Sequence, residues 1–380
     1  MSRRVVNLMV QRCIGRHSAS TLHRINPWRC FYPTTHQALA AAENSEATTI
    51  VEEARLPRAA ISFYEPIQPG NNGTTHFASL GGNSDGIVSM DPDGNTFLYD
   101  GATRGLRVMP APHAPKNYSV SIAVGDDLYM LERNPGPDEE GHSFEALIHR
   151  APSGDVIDGS DEKWFWRSLP PPPYAYDGYD EAGEVGDYEK CRSLGYERNR
   201  NEPYPYVVCG YTVVGDSQIW ISTRGGGTFS FDTAGGVWGE AGDWALPFYG
   251  RVEYAPEHGL WFGFTSEGGQ FAACDLGAAS PTRPPVLKKV WDELASPPPR
   301  WAPVMASLQP MGGGKFCVAR MFDLAPEGWC RGKSSNDYLD LETFVVLTGV
   351  EVVRGSRGAL RMIRHKSRRY SVGCRMAWLL

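Results

Sequence analysis

The sequence predicts an all-β protein, a β-propeller of six four-stranded blades closed by strands from both chain ends. Three observations carry this. Short apolar and β-branched runs follow one another in groups of four, each closed by a turn. The groups recur at a period of roughly 40–60 residues, the spacing of propeller blades. The 380 residues include 42 Gly and 29 Pro, which supply the turns that so many short strands need.

The clearest group is residues 207–248, VVCGYTVVGDSQIWISTRGGGTFSFDTAGGVWGEAGDWALPF. Residues 207–214 are apolar and β-branched, and Gly215-Asp216 turns them. Residues 217–222 alternate, with Ile219 and Ile221 on one face and Trp220 on the other. Gly225-Gly226-Gly227 turns into 228–231, and residues 232–236 turn into Val237-Trp238. This is a four-stranded antiparallel meander. One such meander cannot bury both faces alone, so it needs neighbours of its own kind.

Taken in order, the chain starts with a basic stretch that has no acidic residue before Glu43. It matches a mitochondrial presequence in charge. Residues 4–10 (RVVNLMV) and 20–25 (STLHRI) instead read as strands, because β-branched residues followed by Pro27 and Pro33 suit a cleavable helix poorly. Residues 37–55 read as a short helix or connector, and 58–64 (RAAISFY) as a third strand. The first full group has strands at 76–80, 86–90, 96–99 and 106–109. The second has them at 118–124, 127–131, 144–149 and 164–169. The third is the meander above. The fourth has 251–254, 260–264, 271–274 and 286–291, and the fifth has 304–308, 316–321, 344–350 and 360–363.

The chain is therefore read as a single domain over 1–380. Residues 1–65 hold closing strands plus a linker, and the blades are 76–112, 117–170, 206–248, 249–294 and 302–366. Two insertions interrupt the pattern. Residues 170–205 open on four prolines and continue as an acidic, Tyr-rich stretch without a periodic apolar face, expected to be a mobile loop. Residues 323–340 form a shorter loop in the fifth group. Three N-terminal strands are left over, and a fourth from residues 370–380 or 367–372 would complete their sheet and remove its free edge. If the N-terminus is a presequence instead, the ring has five blades.

The totals bound the function classes. Net charge is −7 and the pI is near 5.8, which argues against a general nucleic-acid binder. No apolar run approaches the roughly 18 residues of a membrane span, so the chain reads as soluble. The eight cysteines include no CxxC pair, and Cys209, Cys274 and Cys317 lie in apolar strands and read as buried thiols. Without a secretory signal the expectation is a reducing compartment, cytoplasmic or nuclear, with mitochondria as the alternative from the basic N-terminus. The acceptor sequences at Asn72 and Asn117 are read as silent for the same reason.

Shared marks reinforce the repeat. A Gly-containing turn precedes the second strand at Gly125, Gly215, Gly259 and residues 311–314. An aromatic or thiol followed by Asp ends the third strand at Tyr99-Asp100, Phe231-Asp232 and Cys274-Asp275, placing a carboxylate to accept turn N–H groups. Gly226-Gly227 followed by Phe231 and Trp238 resembles the kelch repeat, partly repeated at Gly268-Gly269. Residues 215–248, 253–264 (EYAPEHGLWFGF), 305–317 (MASLQPMGGGKFC) and 363–370 (IRHKSRRY) together resemble a plant domain-of-unknown-function family expanded in grasses, with kelch-like propeller character. Residues 3–10, 23–27 and 31–33 are similar to that family's start, whereas 373–380 differ from its usual ending. The resemblance implies no established activity and no functional residue.

No catalytic constellation stands out. The nine histidines lack HxH or HExxH spacing, and no GxSxG elbow is present. Ser84-Asp85-Gly86 and Ser217 read as turn and strand residues. Gly225-Gly226-Gly227 lacks the Lys-Ser/Thr and helix of a phosphate cradle and reads as a hairpin turn. The run 361–369 (RMIRHKSRR) reads either as an import signal or anionic-partner patch, or as a solvated outer strand. Trp220, Trp238, Trp244, Trp261, Trp291 and Trp301 recur at blade spacing and read mostly as core. No catalytic, cofactor-binding or metal-binding residue is assigned, and no cofactor. The expectation is a monomeric, non-catalytic protein-binding scaffold or adaptor whose partner is another protein. The alternative is an enzyme or carbohydrate-binding protein with its site in the propeller channel.

Overall fold

The structure, a computed structural model, describes residues 5–14, 17–43, 51–66, 75–81, 85–116, 119–133, 135, 142–150, 163–175, 207–294, 297–325, 342–355, 358–373 and 376–380. It is all-β, with multiple antiparallel sheets and no closed barrel. The chain divides into two compact units. One holds Met1–Ile67, Phe248–Asp275 and Val286–Leu380, the other Gln68–Pro247 and Leu276–Pro285.

In the first unit, β1 (Val6–Ile14) and β2 (His17–Ile25) form a hairpin. Helix α1 (Thr35–Glu43) and strand β3 (Val51–Ala54) follow, and β4 (Ile61–Pro66) pairs with β2. The second unit contains three groups of four consecutive strands. The first is β5 (His76–Ser79), β6 (Gly86–Met90), β7 (Thr96–Asp100) and β8 (Gly105–Met109). The next is β9 (Ser119–Val124), β10 (Asp127–Glu132), β11 (Phe144–Arg150) and β12 (Lys163–Ser168). The third is β13 (Val208–Val214), β14 (Gln218–Thr223), β15 (Gly227–Asp232) and β16 (Val237–Gly242). Each is an antiparallel meander, as the alternation and turn spacing require.

The chain then returns to the first unit with β17 (Phe248–Ala255), β18 (Leu260–Thr265), β19 (Phe271–Cys274) and β20 (Leu287–Trp291), another meander. Long strands follow: β21 (Trp301–Gly312), β22 (Lys315–Leu324), β23 (Thr343–Arg354) and β24 (Leu360–Ser371). The last, β25 (Met376–Leu379), pairs with β1, giving the sheet order β25-β1-β2-β4. The three N-terminal strands thus share one sheet with a C-terminal strand, as the free-edge argument expects.

Apolar clusters join sheets face to face within each unit. In the first, Val6, Leu8 and Val10 pack with Cys317, Met321, Val345 and Leu347. The opposite face of the β21–β24 sheet, through Phe316, Val318 and Val350, packs with Phe262, Phe271 and Trp291. In the second, Val88 and Met90 meet Leu128, Met130 and Leu147, and the next face, with Tyr129 and Phe144, meets Ile219, Ile221 and Phe231. Alternate residues of a strand serve opposite clusters, which is why β10 and β11 are apolar on both faces.

Several details depart from the sequence reading. Residues 367–371 belong to β24, so they do not form the closing strand. Residues 376–379, within the stretch expected to be an atypical tail, supply it. β3 was not foreseen; it pairs parallel with β24, where Glu52 and Glu53 reach Arg368 and Arg369 at 3.6 and 3.1 Å. The end of the basic run, 367–369, therefore lies between two strands with its arginines paired to carboxylates, whereas Arg361 at its start stays exposed. Pro170 to Ala175, assigned to the mobile insertion, pack down. Tyr174 and Ala175 are buried, and the Tyr174 ring lies 4.9 Å from that of Phe229. The rest of that insertion (176–205), most of the 323–340 loop, and Asn72 and Asn117 lie outside the described residues.

Candidate functional site

The structure brings two histidines and a carboxylate together that the sequence keeps apart. His113 sits in the Pro-rich segment after β8, His142 just before β11, and Glu145 on β11. One ligand atom from each lies within 4.8 Å of the others. Pro110, Pro112 and Pro115 stiffen the segment that carries His113, and Trp166 of β12 anchors it by donating from Nε1 to the Pro110 carbonyl at 2.8 Å.

Glu145 is the hub. Its Oε1 accepts from His113 Nδ1 at 2.5 Å and from the His113 backbone N–H at 3.2 Å. Its Oε2 accepts from Lys116 Nζ at 2.5 Å, and that ammonium also donates to the Ala114 carbonyl at 2.8 Å. The Lys116 and Glu145 side chains are both 0% exposed. Burial alone would raise the Glu145 pKa, but the bonds from Lys116 and His113 outweigh it and hold the carboxyl below its usual value. At the rim, His142 Nδ1 lies 2.8 Å from Ser168 Oγ, and its ring stacks on His113 at 5.0 Å.

Two histidines and a carboxylate are a donor set suited to a first-row divalent ion. Lys116 opposes that use, because its ammonium already neutralises Glu145 and would repel a dication. The Ser168–His142 contact has the reach of a nucleophile–base pair, yet Glu145 orients His113 rather than His142. The cluster as it stands clamps the proline segment onto β11.

A second buried network lies in the first unit. Glu351 of β23 accepts from Lys315 at 2.6 Å and from the Thr35 hydroxyl at 3.0 and 3.1 Å, and its Oε2 lies 3.1 Å from His365 Nε2. His365 Nδ1 accepts from the Tyr32 N–H at 3.1 Å. That bond fixes the tautomer, so Nε2 carries the proton and donates to Glu351. Burial lowers the His365 pKa despite Glu351 beside it, and the imidazole stays neutral. This network docks residues 31–35 onto β23 and β24.

Cys30, Cys274 and Cys317 are buried and Cys209 is half-buried, all as free thiols. Burial pushes Cys30 and Cys274 up to about 12, and Cys317 well above its usual value, so these thiols are poor nucleophiles. Gly225-Gly226-Gly227 joins β14 to β15, with Thr223 opposite Gly227, which is the hairpin reading. Ser217 lies in the β13–β14 turn, and Ser84 is outside the described residues.

The His113–His142–Glu145 grouping had no short-range signal. His113 lies between β8 and β9, and His142 between β10 and β11, so no local period links them to Glu145. The bonds of Glu145 and Trp166 to the proline segment bring them together.

The sequence profile of a family described as protein of unknown function (DUF1668) matches residues 3–370. The chain belongs to the DUF1668 family. No curated protein matches it. The DUF1668 match includes both networks above and nearly all of β24, while β25 lies beyond it.

Proposed function

We propose that this DUF1668 chain is a non-catalytic protein-binding scaffold, built as a kelch-like propeller of six four-stranded blades with a composite closing blade. The four-stranded sheets β5–β8 and β9–β12, the four-strand meanders β13–β16 and β17–β20, and the sheet shared by β25, β1, β2 and β4 support the propeller reading. The observation that carries the binding role is strand β8. It is the edge of its sheet, and four of its five residues are exposed, including Leu106 at 54% and Val108 at 77%. Among the described residues β8 has a strand neighbour on one side only, and an edge strand with two apolar side chains on one face suits an extended segment of another protein adding as a further strand. The partner is then a protein, engaged without nucleic acid or membrane, by a monomeric scaffold.

The test is affinity purification of partners with the wild type and with Leu106→Glu/Val108→Glu. Both positions are exposed, so the double variant should melt as the wild type does. The reading expects specific partners to be lost with the variant. Unchanged recovery, or self-association through β8 in place of a partner, overturns it.

A second reading, an enzyme or carbohydrate-binding protein, is favoured by the convergence of His113, His142, Glu145 and Ser168. If His142 activates Ser168, a fluorophosphonate probe should label the wild type and not Ser168→Ala. Absence of labelling counts against the hydrolytic form of that reading.

A further inference from the structure

On the face of the β21–β24 sheet that carries Val346, Thr348 and Val350, the cross-strand partners are Arg320, Val318 and Phe316 of β22 and Arg369, Ser367 and Arg364 of β24. Residues paired across a sheet share a face. Three guanidinium groups, those of Arg320, Arg364 and Arg369, and two hydroxyls therefore interrupt an otherwise apolar surface. On one side lie Phe322, Phe344 and Val346, on the other Phe316, Val318 and Val350. Arg364 Nη2 donates to Ser367 Oγ at 2.9 Å, and that hydroxyl lies 2.9 Å from Thr348 Oγ1. Arg364 Nε is buried with no hydrogen-bond partner among the described residues. The Arg320 guanidinium stands 5.0 Å over the Phe322 ring, which orients it without using its N–H groups.

The neighbouring arginines are treated differently. Arg369 is held by Glu53 and Glu342 at 3.1 and 2.8 Å, and Arg368 lies 3.6 Å from Glu52. Among the described residues no carboxylate pairs with Arg320 or Arg364. Burial and then the Arg364 charge lower the Arg320 pKa to about 10, and burial also lowers that of Arg364. Two like charges held half-buried without a counter-ion are unfavourable, and an oxyanion between them would relieve both. Guanidinium forks match phosphate-type oxygens in bidentate geometry, and hydroxyls supply further donors.

We propose that Arg320, Arg364, Thr348 and Ser367 form a binding site for a phosphate-class oxyanion, either free phosphate or a phosphomonoester. The site lies within the first unit and is independent of strand β8 and of the scaffold reading. Wild-type protein is titrated with inorganic phosphate and with glycerol phosphate at constant ionic strength, by calorimetry and by thermal melting, with chloride as the control. The site predicts saturable heat and a saturable rise in Tm with at least one phosphate species and none with chloride. Arg364→Gln and Arg320→Gln should each weaken binding at least tenfold, while Arg361→Gln, an exposed arginine of the same strand, should leave it unchanged. Tighter binding of inorganic phosphate identifies the free anion as ligand; tighter binding of the ester identifies a phosphorylated group. If Arg364→Gln does not fold, Arg320→Gln and the wild-type titration still decide. No saturable response in the wild type overturns the proposal, as does equal binding by wild type and Arg320→Gln.

Discussion

Lys116 and Glu145 are a fully buried ion pair, so losing one partner is worse than losing both. Glu145→Leu strands a buried ammonium and should cost about 3–5 kcal/mol, whereas Lys116→Met/Glu145→Leu should recover most of that loss. Urea unfolding of the two variants checks the order; a double variant no more stable than the single would show that the pair is not the source of the effect. His76, 3.1 Å from Ser121 Oγ, has a distinct consequence for pH. Burial lowers its pKa from 6.5 to about 4. The unfolded chain then binds a proton that the folded chain refuses over that interval. Its contribution to stability is therefore complete above pH 6.5 and is lost as pH falls towards 4. Urea midpoints between pH 7 and pH 4 should fall less for His76→Gln than for the wild type, and parallel profiles would remove His76 as the cause. Below about pH 4.5, Glu145 and Glu351, both held below their usual value, should add to the loss.

At the scale of the element, β15 and β16 show how a shared motif divides its labour. Phe231 is 0% exposed and touches Phe144 edge-on at 4.9 Å. Trp238, expected to be equally buried, is only partly so. It covers Phe231 at 5.1 Å and donates its indole N–H to the Pro170 carbonyl at 2.8 Å. Phe231→Ala should therefore cost about 3–5 kcal/mol, and Trp238→Ala clearly less, nearer 2 kcal/mol. Thermal melts of the two variants rank them, and the reverse order would contradict the packing described. In β23, Gly349 lies against the segment carrying Cys30 and Phe31. An added Cβ there would collide with the Cys30 carbonyl. Gly349→Ala should cost about 1–3 kcal/mol by overpacking, read as a lower Tm; an unchanged Tm would mean that residues 30–31 are not seated on β23.

At the scale of the molecule, the N-terminal hairpin is part of the core of its unit. Val6, Leu8, Val10 and Ile25 are 0–2% exposed in one cluster with β22 and β23. At about 1.5–3 kcal/mol for each buried side chain, removing them takes away an amount comparable to the net stability of a whole domain, about 5–15 kcal/mol. Deleting residues 1–26 should abolish the cooperative unfolding of that unit. Deleting 376–380 removes Ala377 and Leu379 and bares the β1 edge, so it should lower Tm by a smaller amount and promote aggregation. A 1–26 deletion that melts like the full chain would identify those residues as an appendage. Joining strands more than 300 positions apart is affordable because loop-closure entropy grows only with the logarithm of length, about 0.6 kcal/mol per doubling.

The sequence by itself determined most of the strands, the succession of antiparallel meanders and the need for a closing strand. These are local properties. Period-two alternation marks the strand, and glycine marks the turn, as at Gly125 and Gly215, whose φ values of 60° and 65° place them in the left-handed region. Asp100 and Asp232 likewise accept turn N–H groups as the Asp after an aromatic suggested. The tertiary structure alone decided which candidate closed the sheet, because residues 367–372 and 376–379 are equally strand-like and only the length of β24 excludes the former. It alone placed β3 beside β24, gathered His113, His142 and Glu145, and left Arg320 and Arg364 without a carboxylate among the described residues. Each of these is a relation between strands distant in sequence, fixed by register across a sheet, and register is set by the packing of whole faces rather than by any residue's neighbours in the chain.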